Sequence, residues 1–143
     1  MILDIDKILD GVLSKFKTRD PFEIADMAGI LVFFEELGAL RGYYNALYGV
    51  KMIHINSDLP RIRQRLVCAH EIAHSFMHPE LNVSFMTKNT FMQPGKYERQ
   101  ANIFASKLLL PDEKLAEFYG YTAKEIACIT GLPKETIEIR TVV

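Results

Sequence analysis

The sequence predicts an α+β fold: a small three-stranded sheet, read as antiparallel, packed with one long central helix and several further helices. Three observations carry this reading. Two amphipathic segments open the chain, three short β-rich runs follow one another, and from about Leu59 the apolar period changes to 3.6.

Residues 3–17 place Ile5, Ile8, Leu9, Val12, Leu13 and Phe16 on one helical stripe, interrupted only by Gly11. A second helix starts at Asp20-Pro21, with Asp20 as cap, Pro21 in the first turn and Glu23 spaced as in a capping box; Gly29 ends it. The run Ile30 to Phe34 reads as a strand, as do Tyr43 to Tyr48 and Lys51 to Ile55, with a turn around Gly49. Strands this close in sequence suggest neighbours of alternating direction. From Leu59, the positions Ile62, Leu66, Ala69, Ala73 and Phe76 share one helix face, and Pro79 is a stop signal. Residues 80–96 read as a loop. A helix follows from about Tyr97 to Leu110, ended by Pro111, and short helices complete the chain, one capped by Thr122 with Glu125 three residues on.

A chain of 143 residues with 49% apolar and 24% charged residues suits a single globular domain over 1–143, its last part (about 112–143) a helical segment. The net charge of −1 gives no global field for nucleic acid. Two cysteines, Cys68 and Cys128, form no CxxC pair and no disulfide framework, so a reducing cytoplasm is expected. The N-terminus lacks the pattern of a secretory signal, and no apolar run approaches the roughly 18 residues of a membrane span.

The chemistry concentrates in His70-Glu71-Ile72-Ala73-His74. Histidines four apart on a helix stack on one face, where two imidazoles can share a cation. Glu71 projects about 100° around the helix from His70, where it can reach a water on the metal without being a ligand. Chance spacing is the competing explanation. Against it, His70 and His74 flank the apolar stripe rather than the face of Arg61 and Arg65, and half-buried imidazoles without a partner are costly.

A catalytic zinc site needs a third protein ligand. A third histidine six residues beyond the second is ruled out, since position 80 is Glu80. His78 sits about 12 Å of helical rise beyond His70 and cannot complete one tetrahedron with both histidines; it reads as a helix-end residue with a possible contact to substrate. Glu98 is the better candidate. It opens the next long helix, with Ala101 and Ala105 on its face to allow close approach and Asn102 at i+4 to hydrogen-bond a ligand histidine. An exposed acid favoured by the helix dipole is the alternative for Glu98, and Glu80 and Glu113 are weaker rivals. Tyr97, His78, Tyr43 and Tyr44 are unranked candidates for an oxyanion donor.

The combination of His70-Glu71-Ile72-Ala73-His74, Glu98-Arg99-Gln100-Ala101-Asn102-Ile103-Phe104-Ala105 and Leu108-Leu109-Leu110-Pro111 resembles the ImmA/IrrE metallopeptidases. The helix start Asp20-Pro21-Phe22-Glu23-Ile24-Ala25 and the segment Ile53-His54-Ile55-Asn56 are similar to that family too, so the likeness spans about residues 20 to 140. It implies a zincin-type metal helix, a zinc ion held by His70, His74 and Glu98, and Glu71 as catalytic acid and base. It also implies site-specific cleavage of a helix-turn-helix repressor, in a compact form of the kind carried by phages and mobile elements. Manganese or iron can occupy a His/His/Glu set in place of zinc. The expected partner is a protein substrate added along a strand edge, with neither membrane nor direct nucleic-acid contact.

A rival reading lies in the C-terminal segment. Ala127, Gly131 and Ile137 have the spacing of a helix-turn-helix unit, which would make the chain a non-catalytic DNA- or repressor-binding module. Lys124, Lys134 and Arg140 are balanced there by Glu125, Glu135 and Glu138, whereas phosphate contacts need net positive charge. The basic triplet Arg61, Arg63 and Arg65 reads as a solvated helix flank.

Overall fold

The computed structural model describes residues 3–78 and 94–140. Pro79, Glu80 and most of the expected loop lie outside the described residues. Within them the order is α1 (Ile5–Phe16), α2 (Pro21–Met27), β1 (Leu31–Glu35), β2 (Gly42–Leu47), β3 (Val50–Asn56), α3 (Arg61–Met77), α4 (Pro94–Leu109), α5 (Asp112–Ala116), α6 (Ala123–Thr130) and α7 (Lys134–Glu138). The chain is thus α+β, with three strands and seven helices among the described residues.

Local signals set most boundaries. Asp4 caps α1 by accepting from Lys7 N, and Asp20 caps α2 by accepting from Phe22 N with Pro21 in the first turn. The capping box expected at Asp20 does not form, because the Glu23 carboxylate accepts from Thr18 Oγ1 at 2.7 Å instead. At Thr122 the box is complete, and Gly131 closes α6 in the left-handed region at φ 80°. Helix α4 begins at Pro94, three residues before its expected start at Tyr97, with proline in its first turn.

The sheet corrects one expectation: it is mixed, with strand order β1-β3-β2. β2 and β3 form an antiparallel hairpin around Tyr48-Gly49, both at positive φ (51° and 78°), as a tight two-residue turn requires. β1 does not pair with its sequence neighbour. It lies parallel to β3 on the opposite side, with Val32 opposite Ile53 and Phe34 opposite Ile55. The connection over residues 36–41 therefore passes across the end of β3, and Asn56 holds it there. The Asn56 amide donates to Gly38 O (3.0 Å) and Leu40 O (2.9 Å), while Oδ1 accepts from Asp58 N. Backbone bonds from Asn56 N to Arg41 O and from Ser57 N to Glu35 O complete the crossing. β3 takes the centre, with Ile53 and Ile55 fully buried, while β1 is largely exposed and β2 buries Tyr44 but exposes its Ala46-Leu47 end.

The inner face of the sheet, α1, α2, α3 and α4 enclose the main core, which includes Ile24, Ile53, Ile55, Ile72, Phe104 and Leu108. A second cluster of Leu110, Ile126, Leu132 and Ile137 lies beneath the C-terminal helices and meets the first at Leu66 and Leu109. Gly42 lets β2 run close to α3: a Cβ there would lie 2.5 Å from both His54 O and Val67 Cγ1. The arginines of α3 are structural ties rather than a solvated flank. Arg61 stacks over the Phe22 ring at 4.2 Å, Arg63 Nε donates to Gly131 O at 2.8 Å, and Arg65 pairs with Asp20 at 3.5 Å.

Replacing Asn56 with alanine strands the Gly38 and Leu40 carbonyls and is expected to cost about 1–3 kcal/mol. Chemical denaturation measures it, and an unchanged midpoint would show that the crossing connection does not depend on this amide.

Candidate metal centre

His70 and His74 stand one turn apart on α3, and both direct Nε2 toward α4. Helix α4 packs along α3, and Ala69, Ala73, Ala101 and Ala105 are all fully buried in the core formed there. Small side chains let the two backbones approach closely enough for Glu98, in the early turns of α4, to reach both imidazoles. Glu98 Oε2 lies 3.0 Å from His70 Nε2, Glu98 Oε1 lies 2.7 Å from His74 Nε2, and the two Nε2 atoms are 3.1 Å apart.

These three residues form a group whose ligand atoms all lie within 4.8 Å of one another. Tetrahedral zinc with bonds of about 2.0–2.1 Å spaces its ligand atoms by about 3.3 Å. The ligand atoms of the group, all within 4.8 Å of one another, are close enough together to surround one such ion. The neighbouring carboxylate fits as well: Glu71 is buried, and its Oε1 has no hydrogen-bond partner among the described residues. A buried carboxylate oxygen normally has a partner, and here the nearby chemistry suited to supply one is a metal with its water.

The electrostatics separate the two carboxylates. Burial acts to raise the Glu98 carboxyl, but hydrogen bonds and charge from His70 and His74 outweigh it and hold Glu98 well below the usual carboxylate range. Burial also opposes charge on His70, yet the hydrogen bond to Glu98, the charges of Glu71 and Glu98 and the Asn102 amide together raise its pKa. Glu71 is pushed up, first by burial, against the opposing pull of His70 and His74. One carboxylate is thereby kept ionised among the histidines, while its neighbour gains affinity for a proton.

A cleft of about 460 Å³ opens over the triad, lined among others by Arg41, Gly42, Arg63, His70, Glu71, Glu98, Asn102 and Pro133. Asn102, singled out from its spacing to Glu98, is thus at the cleft and acts on His70. The aromatic candidates are elsewhere. Tyr44 is buried in the core, Tyr43 stacks on His54 with ring centres 4.3 Å apart, and Tyr97 meets the His78 ring edge-on at 4.7 Å. His78 is buried behind His74, its Nδ1 3.1 Å from His74 Nδ1. Glu113, in the first turn of α5, is not part of the triad.

Several lining residues escaped the sequence reading, Arg41, Arg63 and Pro133 among them. Arg63 lies seven residues before His70, on the same helix face, so its spacing was a usable signal. Arg41 and Pro133 carried none, because only the sheet crossing and the docking of the C-terminal helices bring them to the site. That segment forms a cleft wall: Ile137 of α7, the helix that would read DNA in the rival reading, is buried, and Glu135 and Glu138 line an adjoining groove.

Comparison with known proteins gives concordant matches. The IrrE N-terminal-like domain family matches residues 25–141. Metallopeptidase ImmA of Bacillus subtilis (strain 168) is 30% identical over 131 residues, covering 87% of this chain and 76% of that protein. Uncharacterized immunity region protein 2 of Bacillus phage phi105 is 35% identical over 139 residues, covering 95% of this chain and 88% of the relative.

The shifts carry a pH dependence with a definite sign. In metal-stripped protein, the lowered Glu98 stabilises above its ordinary 4.5 and loses that contribution as pH falls; the raised His70 stabilises below its ordinary 6.5 and loses it as pH rises through its folded value. A zinc ion held there would have to displace the His70 proton. The rise in melting temperature on adding zinc is therefore expected to grow from about pH 5.5 to about pH 8. A constant rise across that range, measured by scanning calorimetry, would contradict the assignment of His70 as a ligand.

Proposed function

The chain belongs to the IrrE N-terminal-like family and is a metallopeptidase, and from that premise we propose that it is a zinc endopeptidase that cleaves a helix-turn-helix repressor. In this reading His70, His74 and Glu98 hold the metal and Glu71 is the general base. The observation that carries it is the convergence of three ligand atoms from two helices beside a buried carboxylate with an unpartnered oxygen. Two imidazoles and a carboxylate suit zinc, and manganese or iron fit the same donors.

When bound, the ion supplies Lewis acidity that acidifies a water molecule and polarises the scissile carbonyl. Glu71 takes the proton of that water as it attacks the carbonyl carbon, then delivers it to the departing amine. Its raised proton affinity suits both halves of the transfer. Asn102 steadies the His70 ring. The substrate runs as an added strand along the edge of β2 that is unpaired among the described residues, a geometry supported by Arg41 and Gly42, which stand at the start of that strand and line the cleft.

A repressor substrate is supported by the names of the relatives, a metallopeptidase and a phage immunity region protein. Among the described residues no helix is long and apolar enough to cross a membrane, and both cysteines are free, which supports action in a reducing cytoplasm.

Purified protein is expected to carry about one zinc per chain, and His70→Ala and Glu98→Ala to lose it. Full zinc retention by both variants, by elemental analysis, sinks the ligand set. Glu71→Gln should keep zinc and slow cleavage of a co-expressed helix-turn-helix repressor by about 10²–10⁴-fold. Cleavage at the unsubstituted rate removes Glu71 as the base.

A further inference from the structure

We infer that His78 and Gln100 set the tautomer of His74, keeping its proton on Nδ1 so that the Nε2 lone pair is presented to the metal. The inference rests on the ligand reading above. Two contacts carry it: His74 Nδ1 lies 3.1 Å from His78 Nδ1, and His78 Nε2 lies 2.7 Å from Gln100 Oε1.

Two nitrogens facing each other at hydrogen-bond distance need one proton between them. With none, two lone pairs oppose; with two, the N–H groups collide. The far end of the chain decides which ring donates. The Gln100 carbonyl oxygen can only accept, so His78 Nε2 carries a proton. A neutral imidazole with its proton on Nε2 offers a bare Nδ1, which accepts from His74 Nδ1–H. His74 is left with an unprotonated Nε2, and that atom is the one lying among His70 Nε2 and Glu98 Oε1.

The surroundings hold this order in place. His74 and His78 are 2% and 6% exposed, so solvent has little access to substitute for either contact. The Tyr97 ring stands edge-on to His78, its centre 4.7 Å away, and restricts rotation of the imidazole. His78 is the C-cap of α3, and its backbone N–H donates to His74 O at 2.9 Å, tying together the residues whose side chains also meet. A metal-bound histidine almost always donates its second N–H to an acceptor that fixes its orientation. Here the acceptor is a neutral imidazole. The same two helices supply both layers: α3 brings His74 and His78, and α4 brings Glu98 and, two residues on, Gln100. His78 and Gln100 are positioning residues in this scheme.

The test uses the full chain loaded with zinc alone. Long-range ¹H–¹⁵N spectra of the histidine rings are expected to show His74 protonated on Nδ1 and His78 neutral and protonated on Nε2. Gln100→Lys places a donor opposite His78, and is expected to move the His78 proton to Nδ1 and weaken zinc binding by about 10–100-fold in chelator competition. His78→Leu should weaken zinc similarly, while His78→Asn, which restores a carbonyl acceptor, should recover most of the loss. A His78 proton on Nδ1 in the unsubstituted protein, or unchanged tautomers and affinity in Gln100→Lys, overturns the inference and leaves the ligand set standing. Unsubstituted protein that binds no zinc overturns the ligand reading and this inference together.

Discussion

The close packing of α3 against α4 is the constraint on which the rest of the molecule depends. Neither helix is a site alone. α3 carries two imidazoles on one face, and α4 carries a carboxylate in its early turns. The fully buried alanines Ala69, Ala73, Ala101 and Ala105 keep the side chains in this core short, and Glu98 therefore reaches both histidines at 2.7–3.0 Å. A larger side chain at these positions would overpack the core and push the helices apart.

Other parts of the fold hold that pair in register. The C-terminal end of α4 exposes carbonyls without partners inside the helix. Arg19 donates to Lys107 O and Leu108 O from one side, and Arg140 donates to Ser106 O and Leu110 O from the other. Both guanidinium groups also sit at the negative end of the helix dipole. Arg140 is in turn paired with Asp112, which links α4 to the helices beyond Pro111. On α3, Arg61, Arg63 and Arg65 reach Phe22, Gly131 and Asp20, so the start of α2 and the end of α6 together fix one helix. The polar cluster at the site is thus carried by a frame whose own ends are satisfied.

The sheet serves the same end. Asn56 holds the crossing connection that places β3 at the centre and leaves β2 as an edge, and Gly42 allows that edge to begin against α3. Arg41 and Gly42 then line the cleft over Glu71. From the opposite side the C-terminal helices bring Pro133 to the same cleft. A segment whose spacing resembled a DNA-reading unit is in this fold a wall of the cleft, with Ile137 turned into the second core.

Features set by neighbours along the chain were legible in the sequence. The caps at Asp20 and Thr122, the turn at Gly49 and the one-face spacing of His70 and His74 all arise from interactions within about four residues, which spacing encodes directly. Glu98 was legible at one remove, through the small residues and Asn102 that accompany it on its helix. Strand direction was not. β1 and β3 pair across some twenty residues, and nothing local distinguishes a parallel partner from an antiparallel one until long-range hydrogen bonds form. Gln100 and Arg41 were equally silent, since each acquires its role only from what another element places beside it. By itself the sequence determined which side chains could do the chemistry and on which helix faces they stand. Only the tertiary structure decided which of them meet, because distances between helices and the order of strands come from packing, and packing is a property of the whole chain.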